Sequence, residues 1–95
     1  MLTEEQLIEL KTFIPDGWFK IFGKELIKDL NQAMESESID DLEILDIKEK
    51  YYELRIYTYP YNEKVEQVIN KYTTLSRNYC PLCGSMNPCK QHPNF

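Results

Sequence analysis

Cys80, Cys83, Cys89 and His92 follow the spacing C-x-x-C, five residues, C-x-x-H, and they include every cysteine and the only histidine of the 95 residues. A scatter of unrelated side chains is a poor account of that clustering. Thiolate and neutral imidazole are the donors zinc prefers, and four of them fill its tetrahedral shell. A filled shell has no position for a substrate water, so the expected role is structural. Pro81 fixes one backbone angle and Gly84 can take a positive one, which lets the chain curl over an ion as in a zinc knuckle. Pro88 and Pro93 hold the residues before them extended.

The competing reading of Cys80 and Cys83 is a redox pair or a disulfide. Three cysteines cannot all pair within one chain, and the amino terminus shows no secretory pattern, so a reducing, cytoplasmic setting and a metal are expected. Besides the ligands, residues 80–95 offer only Leu82, Met86 and Phe95 as sizeable apolar groups. Those cannot offset an ordering entropy of about 1 to 2 kcal/mol per residue. Zinc in small sites contributes roughly 10 to 16 kcal/mol, which can. Chelation should therefore melt this segment first.

An apolar content of 42% over 95 residues predicts one domain, 1–95, with a core over 1–79 and a knuckle over 80–95. No apolar run approaches the roughly 18 residues of a membrane span. The formal charge of −5 disfavours nucleic acid globally, but it is uneven: eight acids lie between Glu35 and Glu53, and none follows Glu66.

Along the chain, Thr3 and Gln6 form a capping-box pattern ahead of Leu7, Leu10 and Ile14, predicting a helix to about Phe13 that stops at Pro15. Asp16 reads as the cap of a second, longest helix with an apolar stripe of Trp18, Phe22, Leu26, Leu30 and Ala33. Gly23 inside it suggests close packing against another element. The branched and aromatic runs 43–48 and 53–59 predict a β-hairpin turning near residues 50–52, with Leu45, Ile47, Leu54 and Ile56 facing the helices. Asn62 caps a third helix whose buried face is Val65, Val68, Ile69, Tyr72, Leu75 and Tyr79. The fold class is thus α+β: two amino-terminal helices, a hairpin, a third helix and a zinc knuckle.

Asp16-Gly17-Trp18-Phe19, the run Ile47-Lys48-Glu49-Lys50-Tyr51-Tyr52-Glu53-Leu54-Arg55-Ile56-Tyr57, and Cys80 to Gly84 resemble a group of small, mostly uncharacterised phage and bacterial proteins reading D-G-W-F, K-E-K-F-G-x-L-R-F-Y and C-x-x-C-G in the same order. The resemblance spans residues 16–84. It departs at Tyr51-Tyr52-Glu53, where those proteins carry F-G and one variable residue. It implies the fold outline and a phage or prophage setting. By analogy with phage accessory proteins it also implies a modulator or inhibitor that binds a host protein.

Trp18 is a candidate partner anchor or a core residue. Arg55, Tyr57 and Tyr59 alternate on the strand face opposite Leu54 and Ile56, as a protein-binding face or a stacking platform for single-stranded nucleic acid would place them. The surrounding acids favour a protein partner. The alternative is a nucleic-acid-binding knuckle using the basic carboxyl-terminal end and the tyrosines. No catalytic constellation is expected: the histidine and cysteines are committed to metal, and three glycines make no phosphate loop.

Overall fold

The structure, a computed structural model, describes residues 1–87 and Cys89. It is a mixed α+β fold in the expected order. Helix α1 (Glu4–Phe13) opens on the capping box, with the Thr3 hydroxyl accepting from the Gln6 N–H and the Gln6 side chain accepting from the Thr3 N–H. It ends with Ile14 extended before Pro15, as a residue preceding proline must.

Helix α2 (Asp16–Trp18), a π-helical segment (Phe19–Gly23) and helix α3 (Lys24–Ser36) follow without a break in helical backbone. Pro15 occupies the cap position and no side chain caps this helix, so Asp16 is its first residue rather than its cap. The π turn has a physical reason in the stripe. Trp18, Phe22, Leu26 and Leu30, all buried, recur every four residues. That spacing drifts by about 40° per step on an ideal α-helix, and a wider turn absorbs part of the drift. Gly23 serves this turn: a Cβ there would lie 2.4 Å from the Phe19 ring, so its close neighbour is its own helix and not another element. At the far end Ser38 takes a left-handed conformation (φ 53°), and Ile39 N–H reaches the Met34 carbonyl (2.8 Å), a Schellman closure made without glycine.

Strands β1 (Glu43–Lys50) and β2 (Glu53–Tyr59) form the antiparallel hairpin, with Lys50 opposite Glu53. Both turn residues, Tyr51 and Tyr52, have positive φ (53° and 70°), as a two-residue hairpin turn of type I′ requires. Glu49 stabilises the turn by accepting the Tyr52 N–H (2.9 Å). A bulge falls between Ile44 and Asp46, so Leu45 is turned outward and 60% exposed instead of facing the helices. Ile47, Leu54 and Ile56 do pack on the core.

Helix α4 (Glu63–Ser76) starts at Asn62, whose side chain accepts from the Lys64 and Val65 N–H groups. Val65, Ile69 and Tyr72 are buried, Val68 and Leu75 partly so, and Tyr79 lies beyond the helix end. Phe22 and Tyr72 stack at 5.4 Å, and the Tyr72 hydroxyl donates to Asp29 (2.5 Å), tying α4 to α3. Against the hairpin, α4 uses hydroxyls: buried Ser76 accepts the Leu54 N–H (2.9 Å) and Thr73 donates to the Leu54 carbonyl (2.9 Å). Both backbone groups of Leu54 therefore point away from β1 and are satisfied by the helix, which covers that stretch of sheet edge. Among the described residues no helix is long and apolar enough to cross a membrane.

Candidate metal centre

Beyond α4 the chain turns through Arg77 and Asn78, forms a short bridge between Tyr79 and Met86, and folds back on itself. Cys80 N–H donates to the Ser85 carbonyl (2.7 Å) and Gly84 N–H to the Cys80 carbonyl (2.8 Å), closing a tight loop around Pro81, Leu82 and Cys83. Gly84 takes φ +81°, which the loop needs and a side chain would resist.

The loop brings three of the four predicted ligands together. The sulfurs of Cys80, Cys83 and Cys89 all lie within 4.8 Å of one another. Cys83 and Cys89 are 3.5 Å apart, well beyond a disulfide bond of about 2.05 Å. Sulfurs on a tetrahedral zinc, each about 2.3 Å from the ion, would be about 3.8 Å apart, so this spacing fits shared coordination. The fourth predicted ligand, His92, lies outside the described residues, as do Pro88 and Pro93.

Electrostatics around the sulfurs favour thiolate where it is most accessible. The Ser85 hydroxyl donates to Cys83 Sγ (2.9 Å) and the Ser85 backbone adds a second bond, bringing that thiol down to about 6. Burial pushes Cys80 up, opposed by backbone N–H groups of Cys83 and Leu82 aimed at its sulfur. Amides directed at a sulfur are what a metal-bound thiolate uses to delocalise its charge. Three soft donors this close, two of them buried, can hold a metal ion.

The loop is seated on the amino-terminal part of the fold. Gly17 N–H donates to the Pro81 carbonyl (2.8 Å), and a Cβ on Gly17 would come within 2.4 Å of the Cys80 carbonyl oxygen and 2.5 Å of Gly84 N. Helix backbone thus rests directly on loop backbone. Trp18 is fully buried and its indole N–H donates to the Tyr79 carbonyl (2.8 Å), so it joins the core to the metal loop and is not a partner anchor. On the other side the Tyr52 hydroxyl donates to Asn87 (3.0 Å), and Asn87 donates in turn to the Arg77 carbonyl (2.8 Å). Burial and then the charges of the three sulfurs raise the Tyr52 hydroxyl above the usual tyrosine range.

Gly17, Tyr52 and Ser85 are the functional positions that sequence reasoning passed over. Gly17 and Tyr52 stand inside the runs that carry the resemblance, and a glycine beside a buried tryptophan was the available signal. The remaining candidates sit apart from the cysteine cluster. Tyr57 and Tyr59 are exposed (43% and 62%) on the outer hairpin face, whereas Arg55 is half-buried and bound to Glu53 (2.5 Å). Glu53 is also held by Arg77 (2.6 Å), and that arginine, followed by Arg55, keeps its carboxyl below the ordinary glutamate range.

The fold and site define a small α+β domain with a carboxyl-terminal three-cysteine cluster able to bind metal. No family model, curated protein or solved structure matches the chain.

Proposed function

We propose that Cys80, Cys83 and Cys89, completed by His92, hold one structural zinc, and that the domain so stapled acts without catalysis by binding another protein. The convergence of three sulfurs on a loop seated against Gly17 and Trp18 carries the reading. A shell filled by protein ligands supplies cohesion and no open coordination site. The exposed Tyr57, Tyr59 and Tyr61 offer amphipathic contact area of the kind enriched in protein interfaces. The eight acids between Glu35 and Glu53 count against a polyanionic partner on this face. A phage-encoded modulator of a host factor remains part of the proposal through the resemblance alone.

Two measurements test it. Protein purified under reducing conditions should show one zinc per chain by native mass spectrometry and elemental analysis, and Cys83→Ser should lower zinc content and unfolding midpoint together. Chelation should shift Trp18 emission to the red, since its indole is anchored to Tyr79 beside the loop. Full stability without metal would overturn the zinc reading. For the partner, a photocrosslinking residue in place of exposed Tyr59 should trap a discrete protein in cells. Capture of nucleic acid instead would overturn that half.

A further inference from the structure

The open part of the β2 edge lies in a groove of about 480 Å³ between the outer hairpin face and one flank of α4. Leu54 turns its N–H and C=O away from β1, towards Ser76 and Thr73. Along one strand these directions alternate, so Ile56 and Thr58 present their backbone groups to the same side. Both residues line the groove. The Ile56 side chain is buried in the core. The α4 hydroxyls that cap the edge at Leu54 have no counterpart at Ile56 or Thr58 among the described residues. The only two buried side-chain polar atoms without a hydrogen-bond partner in the described protein, Arg55 Nε and Thr58 Oγ1, belong to residues of this same groove.

The groove is polarised in charge. At its Leu54 end two guanidinium groups, Arg55 and Arg77, share the single carboxylate of Glu53, leaving one positive charge in excess. At the other end Glu66 makes no ion pair among the described residues. Glu66 and Arg77 are separated by three turns of helix, roughly 16 Å at 1.5 Å per residue. Five residues of extended chain at about 3.3 Å each cover that length.

We infer that this groove receives an extended segment of a partner protein, about five residues long, which adds to β2 at Ile56 and Thr58 and carries an acidic group at the arginine end and a basic side chain at Glu66. Main-chain bonds to the open edge would supply affinity that is indifferent to sequence. The two charged ends would set which segments fit. The inference rests on the protein-binding reading above and gives it a surface and a partner chemistry.

The probes are two capped pentapeptides, lysine-valine-threonine-valine-glutamate and the same residues in reverse order, titrated into the ¹⁵N-labelled full chain. One of them should shift the Ile56 and Thr58 amides. N-methylating its two edge-facing amides should weaken binding at least tenfold, and Glu66→Lys, at a rim position without an ion-pair partner among the described residues, should weaken it at least threefold. Failure of both peptides to shift these amides at millimolar concentration would overturn the inference. So would equal binding of the N-methylated peptide, or unchanged affinity in Glu66→Lys. Concentration-dependent shifts of Ile56 and Thr58 in the protein alone would assign the edge to a second copy of the chain, and overturn it too. Crosslinking from Tyr59 is scored separately: a trapped protein alongside a silent groove leaves the general reading standing and removes only this surface.

Discussion

Gly17→Ala tests the connection between the metal loop and the rest of the fold. The new Cβ would meet the Cys80 carbonyl oxygen at 2.4 Å, Gly84 N at 2.5 Å and the Pro81 carbonyl carbon at 2.7 Å, all backbone atoms that cannot rotate aside. Restoring ordinary contact requires the loop to retreat from the helix by about 1 Å. Such a shift breaks the Gly17 to Pro81 bond and loosens that of Trp18 to Tyr79, both now 2.8 Å. Losing a buried bond leaves an unsatisfied group at about 1 to 3 kcal/mol, so the pair amounts to roughly 3 to 4 kcal/mol. Alanine's better helix propensity returns at most about 1 kcal/mol. The net expectation is a loss of about 2 to 3 kcal/mol in urea unfolding of zinc-saturated protein, with weaker zinc affinity in chelator competition. Gly23→Ala is the matched control, because its clash is with the side chain of Phe19 and not with backbone. It must displace the Phe19 ring, which packs against the core, so it also costs stability, but it should leave zinc affinity unchanged. Equal stability and equal zinc affinity in Gly17→Ala and wild type would refute the claim that helix and loop are one packed unit.

Ser76→Ala should destabilise by about 1 to 3 kcal/mol, because it orphans the buried Leu54 N–H, and hydrogen exchange at the Leu54 amide should rise. Tyr51→Asn should stabilise by about 0.5 to 1 kcal/mol, since Tyr51 is 83% exposed at φ 53° and asparagine tolerates that region better; thermal unfolding reads the gain. The Arg77 and Arg55 pairing lowers the folded Glu53 value below the ordinary 4.5. Its contribution is therefore complete above about pH 4.5 and lost as pH falls through the folded value. Glu53→Gln should consequently lower the urea midpoint more at pH 7 than at pH 3, and an equal decrement at both would contradict the assignment.

Local order was legible in the residues themselves. Thr3 with Gln6 and Asn62 announce two helix starts because a side-chain acceptor placed beside unpaired N–H groups acts within one turn. The four-residue stripe from Trp18 to Leu30 marks a buried helix face, and the cysteine spacing marks a ligand set, for the same reason: both are periodicities of neighbouring chain. Where residues far apart in sequence meet, the pattern carried no such information. Leu45 fits an alternating strand and yet faces outward, because a bulge inserts one residue and reverses its side. Trp18 could have been anchor or core until the Tyr79 carbonyl supplied its hydrogen bond.

What this sequence determines alone is its helix starts, its strand-forming runs and the clustering of its carboxyl-terminal cysteines, since each depends on residues within a few positions of one another. Tertiary structure decides that Gly17 must be a glycine, that Glu53 sits between two arginines and that the β2 edge is capped at Leu54 and left open beyond it. Those outcomes depend on how closely backbones approach across the fold, a distance set by packing and by no local rule.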